Sequence, residues 1–219
     1  MKRISLIHTV KSVLDSFDTK IKASTSEELI FYNTFDDFLS IDANEKKYFS
    51  KENRNRLFNL LKNAEYTNCD LIVVTCSTLS PYIPEIREYI KTPILTIDEK
   101  MVEEAVINGK KILVLATAQS AIEPVRQNII KVAKKYKKKI EVQSKMVEGA
   151  FERLKADDIL QHDLLIKETV KTIKDVDTII LAQASMAHLE DELKKITEYN
   201  IYSSPKLCIK AIKEILDLK

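Results

Sequence analysis

Two stretches a fixed distance apart constrain the fold of this chain more than any other feature. Asp70-Leu-Ile-Val-Val-Thr-Cys76 aligns without a gap on Asp177-Thr-Ile-Ile-Leu-Ala-Gln183 (177 − 70 = 107). The same shift lays TPILTI, from Thr92, on YNIYSS, from Tyr199, and a shift of 108 lays ISLIHT, from Ile4, on ILVLAT, from Ile112. The second runs, LIFYNT from Leu29 and IEVQSKMV from Ile140, pair less clearly and need a slightly larger shift. Unrelated strands share composition by chance but do not keep one spacing, so the chain reads as two similar halves of about a hundred residues.

The repeated runs are short, apolar and continuous rather than alternating, which suits parallel strands covered on both faces. Amphipathic segments lie between them. Leu57, Leu60, Leu61 and Ala64 share one helical face. SPYIPEI and SPKLCIKAI place Ser80 and Ser204 before a proline, as N-cap and first helical residue. Strand-helix alternation predicts an α/β fold with two pseudo-symmetric, four-stranded, mostly parallel sheets flanked by helices. The first domain is expected to comprise residues 1–98 and 205–219, the second residues 99–204, with a cleft between the halves.

Composition narrows the function. Hydrophobic residues make up 45% and charged residues 31% of 219, and the net charge is only +2, so nothing favours a nucleic-acid or membrane partner. The basic run Lys134 to Lys139 reads as a solvated helix end. MKRISLIHTV has too short an apolar stretch for a signal peptide, and no apolar segment is long enough to span a bilayer. Three cysteines make no disulfide framework, and no Cys/His spacing suggests zinc, so a cytoplasmic protein with reduced thiols and no metal is expected. With only Gly109 and Gly149, a glycine-rich phosphate loop is excluded.

In open α/β sheets, ligands sit beyond the carboxyl ends of the strands. The residues there are His8 and Thr9; Cys76, Ser77 and Thr78; Thr117, Ala118, Gln119 and Ser120; and Gln183, Ala184 and Ser185. Hydroxyls and amides dominate, each set precedes a helix, and a small anionic ligand such as a carboxylate fits them.

Taken together these segments resemble the aspartate/glutamate/hydantoin racemase superfamily over essentially the whole chain. LIHTV is similar to its first strand and loop, VVTCST to its first cysteine motif, and PILTIDEKMVEEAV to its crossover between halves. VLATAQSAIEP resembles its threonine-bearing loop, and VEGAFE, the His162-Asp163 pair and SPKL also fit. The resemblance implies a homodimeric enzyme, independent of metal and organic cofactors, that moves a proton at the carbon next to a carboxylate of a small amino-acid-like substrate. It also implies two cysteines, one per half, because inverting a stereocentre needs an acid and a base on opposite faces of a planar carbanion. A thiol serves either way where its surroundings favour the thiolate.

Here the chain departs from the pattern, because Gln183 stands where the second cysteine is expected. An amide exchanges no proton at useful pH, but it can hydrogen-bond a carboxylate or an enolate. Cys76 is therefore the candidate acid/base, with Gln183 in place of its partner. His8, Thr9, Ser77, Thr78, Thr117, Ser120, Ala184 and Ser185 are the candidate substrate-binding residues. The alternative for Cys76 is a small buried core residue, and for the hydroxyls helix capping. His8 either supplies the missing acid/base or shapes its loop. Cys69 and Cys208 read as structural, His162 as exposed on a polar helix, His188 as pointing away along the next helix, and Asp98-Glu99 as an acidic helix start. No arginine or lysine lies inside the strand-end motifs, and Lys100 is near them. Three functions stay open: a racemase or epimerase with an unusual second base, a one-thiol decarboxylase or isomerase acting through an enolate, and a non-catalytic carboxylate-binding protein.

Overall fold

The computed structural model describes residues 1–219. In chain order its elements are β1 (Lys2–His8), α1 (Lys11–Leu14), α2 (Phe17–Lys22), β2 (Leu29–Phe35), α3 (Phe38–Lys46), α4 (Lys51–Glu65), β3 (Leu71–Val74), α5 (Ile83–Arg87) and β4 (Ile94–Thr96). Then follow α6 (Glu99–Asn108), β5 (Lys111–Ala116), α7 (Ile122–Lys135), β6 (Glu141–Met146), α8 (Ala150–Lys155), α9 (Ile159–Lys171), β7 (Thr178–Leu181), α10 (Glu190–Ile196), β8 (Asn200–Ser203) and α11 (Ser204–Leu216). The chain divides into two compact units, Met1–Glu99 with Leu207–Lys219, and Lys100–Lys206. No helix is long and apolar enough to cross a membrane.

Each unit holds one four-stranded sheet, ordered β2-β1-β3-β4 in the first and β6-β5-β7-β8 in the second, and every pairing is parallel. The repeat extends to the register. Ile72 pairs with Ile94 and Ile179 with Ile201, so both partners move by 107 (179 − 72 = 107). Ile4 pairs with Leu71 and Ile112 with Thr178. Even the aspartates that open the repeat do the same job. The Asp70 carboxylate accepts the Arg3 amide at 2.7 Å, and the Asp177 carboxylate accepts the Lys110 and Lys111 amides at 3.0 Å.

The continuous apolar runs are explained by the layers. In β3, Leu71 and Val73 pack with Phe17 and Ile21 of α2 and Cys208 and Ile212 of α11, whereas Ile72 and Val74 pack with Leu57 and Leu61 of α4. Both faces are covered, so the four residues of β3 are all apolar. The edge strands differ. β2 and β6 hold only exposed and half-buried residues, whereas β4, at the other edge of the first sheet, is buried throughout.

Two expectations about helix starts are corrected. Ser80 is not an N-cap: it lies inside a 3-10 turn, Ser80–Tyr82, and its hydroxyl donates to the buried Asp98 carboxylate at 2.5 Å. Ser204 likewise lies inside α11 as its first residue. In both places the serine-proline pair begins one position later than a cap requires, because proline needs only to avoid the helix interior.

Gly109 joins α6 to β5, and its role is spatial. A Cβ there would stand 2.7 Å from the Ala105 carbonyl oxygen and 2.7 Å from the Thr178 hydroxyl. Neither atom sits at the end of a flexible side chain. Gly109→Ala is expected to cost roughly 1–3 kcal/mol of stability, the usual penalty of overpacking, read as a lower urea midpoint.

Candidate active site

The carboxyl ends of β3 and β7 place Cys76 and Gln183 in the same backbone setting. The amide of Thr75 donates to the Ile7 carbonyl at 2.9 Å, and that of Ala182 to the Leu115 carbonyl at 2.9 Å. The next turn then opens alike, with Leu79 N–H on the Cys76 carbonyl and Met186 N–H on the Gln183 carbonyl, both at 3.1 Å. Cys76 and Gln183 are thus equivalent residues of the two units, two positions past their strands. Their side chains and surroundings differ.

Within the first unit Cys76 is 8% exposed and touches the apolar cluster around Val74 and Leu79. Cys69 donates its thiol to the Ala64 carbonyl at 3.4 Å, whereas no such bond ties the free Cys76 thiol. Cys208 is wholly buried, and burial pushes its thiol far up, followed by the charges of Asp98 and Glu99, which makes it inert.

A polar network backs Cys76. His8 is buried in the first unit; its Nε2 lies 3.1 Å from Asn33 Oδ1 and its Nδ1 lies 2.8 Å from Thr75 Oγ1. Burial holds its pKa below the ordinary 6.5, against the opposing pull of Asn33 and Asp18. A neutral ring has one donor and one acceptor. Nε2 faces Asn33 Oδ1, and Nδ1 faces the hydroxyl of Thr75, the residue before Cys76; that hydroxyl also lies 3.0 Å from the Ile7 carbonyl oxygen. Both ring nitrogens are therefore spent inside the protein. This is the arrangement of a histidine that shapes its loop.

This network has a pH signature. Because its folded pKa is depressed, the contribution of His8 is present in full above 6.5 and is lost as pH falls from 6.5 through the folded value. The unfolding midpoint in urea is expected to drop between pH 7.5 and 5.5 in the wild type, and to drop less in His8→Gln. Equal slopes in the two proteins would refute the assignment.

The other first-unit candidates differ in exposure. Thr9 is buried and its hydroxyl has no hydrogen-bond partner, while Ser77 and Thr78 are half-buried. Sequence reading missed Ser80, which with Asp98 ties the Cys76 loop to the end of β4. Glu99 accepts from Arg87 at 2.5 Å.

In the second unit the Gln183 carbonyl is saturated. Oε1 accepts the Thr117 amide at 2.7 Å, the Thr117 hydroxyl at 3.1 Å and the Ala118 amide at 3.2 Å. Two of these are backbone donors, which only an oxygen can satisfy, so the amide orientation is fixed. What Gln183 presents is Nε2, a donor of hydrogen bonds and not of protons. Thr117 is buried, Ala118, Ala184 and Ser185 are half-buried, and Ser120 is exposed. Nothing like the His8 network stands behind Gln183: the equivalents of His8 and Thr75 are Ala116 and Ala182.

The expectation of an exposed His162 is corrected. His162, Ile166 and Val170 recur every fourth residue along α9, so they share its buried face, and His162 is 0% exposed. Its Nδ1 lies 2.8 Å from Asp163 Oδ1, and His188 Nε2 lies 2.8 Å from Asp163 Oδ2. Burial opposes ionisation of Asp163, but the bonds from His188 and His162 outweigh it and hold the carboxyl below its ordinary range. A carboxylate only accepts, so both imidazole nitrogens donate. No group of three or more His, Cys, Asp or Glu side chains is arranged to hold a metal ion.

Known proteins agree with this architecture. The aspartate racemase of Picrophilus torridus superposes with a TM-score of 0.75 at 16% identity, covering 100% of this chain and 96% of that one. An aspartate racemase homologue from Pyrococcus horikoshii gives 0.70 at 17% identity, covering 99% of this chain and 100% of that one. The glutamate racemase of Francisella tularensis, solved with D-glutamate, gives 0.71 at 16% identity, covering 99% and 81%. At these identities the likeness is one of fold. No curated protein matches the sequence. The family model described as Asp/Glu/Hydantoin racemase matches residues 7–212, which takes in both repeats and all of the strand-end residues described above. The chain belongs to the Asp/Glu/Hydantoin racemase family.

Proposed function

We propose that this protein is an isomerase-type enzyme that moves a proton at the carbon α to the carboxylate of a small amino-acid-like substrate, with Cys76 as its only thiol acid/base. The observation that carries the reading is the pairing of equivalent positions, a thiol at 76 and an amide with its oxygen tied down at 183. In the proposed step the Cys76 thiolate takes the α-proton and becomes a thiol, leaving an enolate whose charge rests on the substrate oxygens. The same thiol then delivers a proton to another carbon of the conjugated enolate, which isomerises the substrate, or back to the α-carbon, which only exchanges the proton with solvent. Gln183 Nε2 donates to a carboxylate or enolate oxygen, which lowers the barrier where negative charge develops. Thr9, Ser77, Thr78, Thr117, Ser120, Ala184 and Ser185 are the further ligand contacts in this reading, and His8 supports the loop from behind. The enzyme uses no metal or organic cofactor and works as a cytoplasmic homodimer.

Gln183 also favours one of the narrower possibilities. With a single proton-transferring group, chemistry on one face is complete, as in isomerisation or decarboxylation through an enolate, whereas two-base racemisation is not. The test is solvent exchange. Aspartate, glutamate, hydantoins and substituted malonates are incubated with the protein in D2O, the α-proton is followed by NMR and chirality by chromatography. Deuterium entry with retained configuration supports one-thiol chemistry. Exchange with loss of optical purity would require a second base. Absence of exchange, together with ligand-induced thermal shifts on the same panel, would favour a carboxylate-binding protein.

A further inference from the structure

We propose that Asp163 is a positioning residue that holds Gln183 in place by clamping the turn that follows it, Ala184–Leu189, through His188. This rests on the reading of Gln183 as the substrate-facing donor. The turn is 3-10, a form with poorer hydrogen-bond geometry than an α-helix, and it starts at the residue after Gln183. Met186 and Leu189 anchor it on the core side. On the other side His188 is 50% exposed, and a free turn would leave it to water. Instead its Nε2 donates to Asp163 Oδ2.

The second carboxylate oxygen is held from within. His162 donates Nδ1–H to Oδ1 while its Nε2 is buried with no partner. A buried polar atom without a partner costs free energy, and an aliphatic residue between Ile166 and the turn of α9 before it would avoid that cost. What an aliphatic residue lacks is the N–H that orients Asp163. With both oxygens occupied from opposite sides, the carboxylate cannot rotate away from His188. Gln183 depends on that constraint because its Oε1 must meet two backbone amides at once, those of Thr117 and Ala118. A drifting turn would lose that double bond before it lost its apolar anchors.

His188→Ala in the full chain removes the exposed half of the clamp and leaves the buried half intact. Amide hydrogen exchange at Thr117 and Ala118 then reads the Gln183 carbonyl with no substrate present. The expected result is exchange about tenfold faster at these two amides, with Leu113 of β5 and Ile166 of α9 unchanged. His188→Gln, whose side-chain N–H reaches the same carboxylate, is expected to restore protection. Asp163→Ala is expected to behave as His188→Ala, because it removes the acceptor of both imidazole donors. Unchanged Thr117 and Ala118 exchange in folded His188→Ala, or an equal rise throughout the second unit, would overturn the proposal. With a turned-over substrate, His188→Ala should lower kcat several-fold, because a loosened Gln183 stabilises the charge that develops on the substrate oxygens less well. A wild-type protein that turns nothing over would sink the functional reading while leaving the exchange result to decide on the clamp.

Discussion

Cys76→Ala should lose about 10²–10⁴-fold in the rate of α-proton exchange, the range that a positioned acid/base supplies. The variant keeps the volume of a small apolar residue in the cluster around Val74 and Leu79, so its urea midpoint should stay near that of the wild type. NMR of the substrate in D2O measures the rate, and the midpoint separates lost chemistry from lost folding. Residual exchange within a few-fold of wild type in a folded Cys76→Ala protein would remove the thiol from the mechanism. Cys69 and Cys208 could not stand in for it, the first being bonded to the Ala64 carbonyl and the second sealed in the core.

Gln183→Cys is expected to change the stereochemical outcome instead of the rate alone. It would put a second proton-transferring group at the position equivalent to Cys76. A reaction that retains configuration should then yield both enantiomers, read by chiral chromatography of the recovered substrate. The exchange of amide for thiol carries a cost. The Thr117 and Ala118 amides lose their shared acceptor, and each orphaned donor costs about 1–3 kcal/mol unless water reaches it. The urea midpoint should fall accordingly. Retained optical purity in an active, folded Gln183→Cys protein would mean that residue 183 does not serve the second face of the substrate.

Much of the fold is legible in the sequence because the repeat is physical. A parallel strand buried on both faces favours apolar side chains, so β3 and β7 stand out, and the fixed offset carries over into the register. The edge strands β2 and β6 are the hardest to align because one flank and much of their side-chain surface face solvent, which leaves composition free to drift. The site is legible only in outline. Strand ends pick out Cys76 and Gln183, but a glutamine in a sequence does not show which end of its amide is free. That follows from the two backbone donors converging on Oε1. Nor does a histidine show how many partners it has. His8 and Asn33 stand 25 residues apart, and His188 and Asp163 likewise, so their pairing exists only once the strands and helices are in place. The error at His162 has the same origin: its neighbours in sequence are polar, while its neighbours in space, at four-residue steps, are Ile166 and Val170.

Helix α11 gives the chain a temporal order. Its residues Cys208, Ala211, Ile212 and Leu216 share with Phe17 and Ile21 one face of the sheet that carries Cys76, yet they follow the whole of the second unit in sequence. The intervening unit, Lys100–Lys206, is continuous in sequence and has every strand it needs before α11 is made. During synthesis the middle of the chain can fold while the earlier-made first unit waits with one side of β1 and β3 covered by α2 alone. A chain without α11 would therefore keep every strand of the second unit and the cluster around Cys76 on one face of the first sheet, while the opposite face of that sheet stayed only half covered.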